Sequence, residues 1–99
     1  MIIIKRKPGE YDLTVEGHAK GASNERGYDL VCCAVSTLMY AFLYSSGSKA
    51  QHDIRDGYMH VKFERAADTD GLLQKRFDFL MDGLDMLAKA YPTCSQMDL

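Results

Sequence analysis

The sequence has no excess of charge of either sign. Its 99 residues carry 12 Lys and Arg against 14 Asp and Glu, a formal charge of -2 with a pI near 5.8. A protein whose main partner is a nucleic-acid backbone needs a concentrated Lys/Arg surface. The short cluster Lys5-Arg6-Lys7 reads as a solvated strand end, so direct nucleic-acid binding is not expected. No long hydrophobic run is present. The apolar start Met1-Ile2-Ile3-Ile4 is far too short to cross a bilayer and precedes its basic residues, the reverse of a secretion signal. Neither a membrane nor an export route is expected. Cysteine is scarce and odd in number, at Cys32, Cys33 and Cys94. Neighbours such as Cys32 and Cys33 rarely pair, because the bridge strains the peptide between them. Free thiols in a reducing cytoplasm follow. His18, His52 and His60 form no C-x-x-C or H-x-x-x-H spacing with one another or with the cysteines, so no metal site and no cofactor is expected. Repeats, linkers and low-complexity tracts are absent as well.

What is present is a compact alternation of elements. Met1 to Arg6 reads as a strand, Pro8-Gly9 as a turn, and Tyr11 to Glu16 as a half-buried strand with Tyr11, Leu13 and Val15 on one side. A polar loop runs from Ala19 to Tyr28, longer than most connections, and such loops are often functional. Asp29 then stands as an N-cap. A helix follows from Leu30 to about Ser46, with Val31, Ala34, Val35, Leu38, Met39, Phe42 and Leu43 at helical spacing and Gly47 as its stop.

His52 to Arg55 and Tyr58 to Glu64 make a hairpin about Asp56-Gly57. Asp68 or Thr69 caps a last helix whose stripe runs from Leu72 to Tyr91, ended by Pro92, and residues 93–99 are expected to form a flexible tail. The order β-β-α-β-β-α predicts an α+β fold in one domain over residues 1–92. It has two layers: a four-stranded, mainly antiparallel sheet with two helices on one face. The other sheet face and the edges then need covering, and a homodimer does that economically.

The stretch Gly17 to Ser36 concentrates the chemistry. With Asp29 as cap, Cys32 falls in the first helical turn, where free amides and the helix dipole favour an anion. Cys33 is rotated about 100° around the helix axis and points elsewhere. His18, at the end of the second strand, is placed for the loop to fold its imidazole back as general base. Amides of the helix start or of the loop around Gly21 and Gly27 are available for an oxyanion. Nucleophile, base and oxyanion donors are the set that acyl transfer requires. The competing structural reading is that both cysteines are small apolar fillers of the core, and spacing alone leaves it open. His52 and His60 read as polar hairpin residues.

Gly17-His18-Ala19, followed after a loop by Asp29-Leu30-Val31-Cys32-Cys33-Ala34-Val35-Ser36, resembles the ribosomal-processing cysteine protease family, Prp. The resemblance implies that His18 and Cys32 form a catalytic dyad; Asp29, read above as the helix cap, is placed to support the site. It also implies a cytoplasmic homodimer of low-G+C Gram-positive bacteria. The implied substrate is a short N-terminal extension of a large-subunit ribosomal protein, or phage capsid-assembly proteins for prophage-encoded relatives. Cys33 departs from the family pattern, which has a small non-thiol residue there, and the loop from Lys20 to Tyr28 is longer than usual. The alternative is a non-catalytic homodimeric binding protein of the ribosome or a phage particle with the same fold.

Overall fold

In the computed structural model, residues 1–17 and 28–98 are described, apart from the side chains of Tyr28 and Asp29. The elements are β1 (Ile2–Arg6), β2 (Asp12–Glu16), α1 (Tyr28–Ser46), β3 (Gln51–Arg55), β4 (Tyr58–Lys62), a 3-10 turn (Arg65–Ala67), α2 (Leu72–Ala90) and β5 (Ser95–Asp98). The sheet order is β3-β4-β2-β1-β5. All neighbours are antiparallel except β1 and β5, which run parallel with Ile2 opposite Ser95.

Alternation decides which sheet face is dry. Ile2, Ile4, Leu13, Val15, Met59 and Val61 are buried, and they meet a layer built from the two helices. Helix α1 contributes Val31, Val35, Met39 and Phe42, and α2 contributes Leu73, Phe77, Leu80 and Leu84. Both sets recur every three or four residues, the period that puts a stripe on one side of a helix. Phe77 is fully buried and forms the hub of an aromatic cluster, 5.3 Å from Tyr11, 5.7 Å from Phe63 and 5.8 Å from Phe42. Burying one such side chain stabilises the fold by about 1.5–3 kcal/mol. The helices approach closely at Gly83, where an added Cβ would stand 3.0 Å from the Leu38 Cδ1.

Two expectations need correction. The sheet has five strands rather than four, and the fifth occupies Ser95–Asp98, where a flexible tail was expected. The segment Ser-Gln-Met-Asp carries no β-branched residue and announces nothing by propensity. It is a strand because β1 has an open edge. The chain turns at Tyr91, whose carbonyl accepts from the amides of Cys94 and Ser95 at 2.9 and 3.1 Å, and the Cys94 carbonyl then accepts from Ile2 at 2.8 Å. The sheet face turned away from the helices is mixed, with Ile3 and Tyr58 beside polar residues. Asp12, Thr14 and His60 lie there half-buried, and His60 Nε2 is 2.7 Å from Asp12 Oδ1.

Helix α2 is capped from a distance. Gly71 is its N-cap residue and supplies no side chain, but the Asp68 carboxylate accepts from the amides of Leu73 and Gln74, each at 2.9 Å. Burial alone would push the Asp68 carboxyl up. The hydrogen bonds from Gln74 and Leu73, with the charge of Lys49, outweigh it and hold the group below its ordinary 3.8. A depressed carboxyl stabilises the fold above its unfolded-state value, and that contribution is lost as pH falls through the lower folded-state value. Asp68→Asn is therefore expected to lower Tm near neutral pH, with the gap to wild type closing as pH falls below 3.8. Thermal melts of both proteins from neutral pH down to below that value test this. A gap independent of pH would assign the loss to geometry rather than charge.

Candidate functional site

Helix α1 begins at Tyr28, upstream of the Leu30 start that an Asp29 cap would give, so Asp29 stands second in the helix. An acidic residue complements the dipole from the first turn as well as from the cap, so the pattern suits either place. Cys32 is the fifth helical residue, and its own amide belongs to the helical ladder rather than to the free amides at the start. Oxyanion donors drawn from the loop around Gly21 and Gly27 lie outside the described residues, as does His18.

The two adjacent thiols part company. Cys32 is half-buried and Cys33 is exposed. Cys32 lines a cleft of about 470 Å³ between α1 and the sheet, with Val15, Ser36, Ile54 and Met59 among its walls. Gly17 and Gly57 line the same cleft. The Gly17 amide donates to the Gly57 carbonyl at 2.9 Å, which ties the end of β2 to the β3–β4 turn. The residue immediately before His18 is thus fixed in the wall of the cleft that holds Cys32. Gly17 itself has φ +106°, and a Cβ there would overlap the carbonyl oxygen of Met1. Only glycine permits that crossing of chains.

Cys94 is buried in the core, its sulfur 3.9 Å from Thr93 Oγ1. It is a small apolar filler, the role that spacing leaves open for Cys32 and Cys33. The sequence reading missed the part played by the β3–β4 hairpin. Asp56-Gly57 was legible as a turn, but nothing local says that Ile54, Gly57 and Tyr58 come to line one cleft with Cys32, 22 or more residues away. Ser36, one turn beyond Cys32, was also passed over, although the i, i+4 spacing puts both on one side of α1.

A half-buried thiol in a peptide-sized cleft, next to the backbone that delivers a histidine, is an arrangement for nucleophilic chemistry. The family model described as cysteine protease Prp matches residues 1–96. The chain belongs to the cysteine protease Prp family. Solved structures agree on the fold. The essential ribosomal processing protease Prp from S. aureus, in complex with a substrate peptide, has a TM-score of 0.81 at 18% identity, with 99% of this chain and 98% of that chain covered. The same protein with a covalently linked product peptide has a TM-score of 0.77 at 19% identity, with the same 99% and 98% coverage. SMU.848 from Streptococcus mutans has a TM-score of 0.74 at 26% identity over 98% of this chain and 90% of that one. No curated protein matches. Membership of the Prp family makes Cys32 the cysteine to weigh first, since it stands in the cleft while Cys33 faces outward and Cys94 is in the core.

Proposed function

We propose that this chain is a cysteine endopeptidase that removes a short N-terminal extension from a large-subunit ribosomal protein, with Cys32 as nucleophile and His18 as general base. The observation that carries the reading is Cys32 in the wall of the cleft, in a chain whose family is a protease family. In the reaction, Cys32 Sγ, as thiolate, attacks the carbonyl carbon of the scissile peptide. The C–N bond breaks and the amine leaves with a proton from the His18 imidazolium. Water then attacks the thioester, giving its proton to His18, and the acid product and the thiolate are released. A reducing, cytoplasmic setting suits this chemistry, since the nucleophile must be a free thiol, and all three cysteines are free.

A homodimer belongs to the proposal. Leu72, Phe79 and Met86 repeat every seven residues along α2 and are 46%, 75% and 71% exposed, an apolar stripe of the kind a second copy would cover.

The experiment is incubation of the reduced protein with a large-subunit ribosomal protein carrying a short N-terminal extension, read by intact mass. The expected result is loss of the extension at one bond. An unchanged mass while shorter unrelated peptides are cleaved would keep the protease and remove this substrate. Sedimentation of the same preparation should give twice the chain mass, and a monomer at micromolar concentration would remove the dimer.

A further inference from the structure

A second, more open groove lies beside the Cys32 cleft, between α1 and β3. It has a volume of about 850 Å³, and Tyr40, Leu43, Tyr44, His52 and Ile54 contribute to its lining. Tyr40 and Ile54, with Ser36, also line the Cys32 cleft, so the two spaces are continuous. Tyr44 is 93% exposed and Tyr40 53%, a large apolar commitment for a surface with no role in the core. Strand β3 is at the end of the sheet order, and among the described residues no strand pairs with its outer side.

The direction of its backbone groups can be worked out. The Phe63 amide donates to the Tyr11 carbonyl and the Gly57 carbonyl accepts from Gly17, so odd-numbered residues of β4 bond towards β2. Even-numbered ones, Tyr58, His60 and Lys62, therefore bond towards β3, where they face Arg55, Asp53 and Gln51. His52 and Ile54 are left with amide and carbonyl aimed outward at the open edge, and their side chains line the groove. A row of outward donors and acceptors above an apolar floor has the chemistry of an added β-strand.

We propose that the substrate continues from the Cys32 cleft into this groove as an extended strand. Its backbone bonds to His52 and Ile54, and alternate apolar side chains rest on Tyr40 and Tyr44. The inference rests on the protease reading and adds a recognition element to it. It also sets a length. Tyr44 is twelve residues beyond Cys32, about 18 Å along the helix, which an extended peptide covers in about five residues. Recognition should therefore reach about five residues from the scissile bond on one side, and side chains two apart should matter together.

The test uses a peptide cleaved by the wild-type protein, chosen from a synthetic decapeptide library, and versions cut back to two residues on either side of the scissile bond in turn. Shortening one side is expected to lower kcat/KM about tenfold or more, and shortening the other to do much less. Tyr44→Glu should lower kcat/KM about tenfold for the full peptide and change the shortened one less than twofold. Binding of the full, fluorescently labelled peptide to Cys32→Ala, read by anisotropy, reports the groove without the chemistry, and Tyr44→Glu in that background should weaken it to the same degree. Equal cleavage of long and short peptides, or equal effects of Tyr44→Glu on both, would overturn the groove while leaving the protease standing. If no member of the library is cleaved, the labelled library is screened for binding to Cys32→Ala instead, and a decapeptide bound tightly there and weakened by Tyr44→Glu would support the groove and remove the protease.

Discussion

Cys32→Ala is expected to lower peptide cleavage by at least about 10³-fold, or more than about 4 kcal/mol of transition-state stabilisation, with little change in Tm. Cys33→Ala should retain most activity. The two thiols are neighbours in sequence, but one helical step of about 100° separates a cleft wall from an exposed surface. Losing the nucleophile removes the covalent route altogether. Removing the Cys33 thiol trims one side chain from the lining of the neighbouring groove and leaves the bond-making sulfur in place. The exposure of Cys33 also decides how the experiment is read. A small alkylating reagent will reach Cys33 readily whatever its role, so first labelling at Cys33 says nothing about catalysis. Paired kcat/KM values for the two variants, with melts showing both folded, are the informative measurement. A dead Cys33→Ala beside an active Cys32→Ala would move the nucleophile by one residue.

Gly17→Ala should damage both fold and function. At φ +106° an L side chain is strained, and its Cβ would also meet the Met1 carbonyl oxygen, which is backbone and cannot rotate away. Strain and overpacking together cost about 3 kcal/mol or more. In a domain of this size that is a Tm drop of about 15 °C. Relief requires β1 and the end of β2 to separate, which pulls on the bond from Gly17 to Gly57 and shifts the backbone leading to His18. Residual folded protein should therefore cleave poorly. Gly9→Ala is the control. Gly9 also has a positive φ, +74°, but no atom lies within 4 Å of its added Cβ, so it carries the strain without the collision. It should cost about 1–2 kcal/mol and leave activity intact. Equal losses at the two positions would show that the Met1 contact is unimportant.

The elements that were legible in the sequence are those whose reason for existing is local. Val31, Val35, Met39 and Phe42 announce the dry side of α1 by spacing alone, and Leu73, Phe77, Leu80 and Leu84 do the same for α2. β5 was illegible because its cause is remote. Ser95 to Asp98 pairs with a strand at the other end of the chain, and four mostly polar residues carry no trace of that partner. The start of α1 was misplaced for a different reason, since Asp29 satisfies the physics of a helix start from either side of the boundary. The site shows the same division. Cys32 and the glycine before His18 were legible as a motif, and the fold explains the glycine by the Met1 carbonyl. The hairpin wall of the cleft and the groove below it arise from chain crossings that no spacing encodes. His18, Gly21 and Gly27 lie outside the described residues, so their roles rest on the motif and on where Gly17 delivers the chain.

The most direct test of Cys32 as nucleophile is to trap the acyl-enzyme. The protein is mixed in excess with a cleaved peptide, quenched in acid within one turnover, digested with trypsin and sequenced by mass spectrometry. Cleavage after Arg26 and Lys49 releases one fragment holding both Cys32 and Cys33, and fragmentation between them assigns the adduct. A thioester of the N-terminal half of the substrate on Cys32, decaying as free product appears, is the predicted result. The same thioester on Cys33, or full cleavage with no thioester on either sulfur, would contradict it.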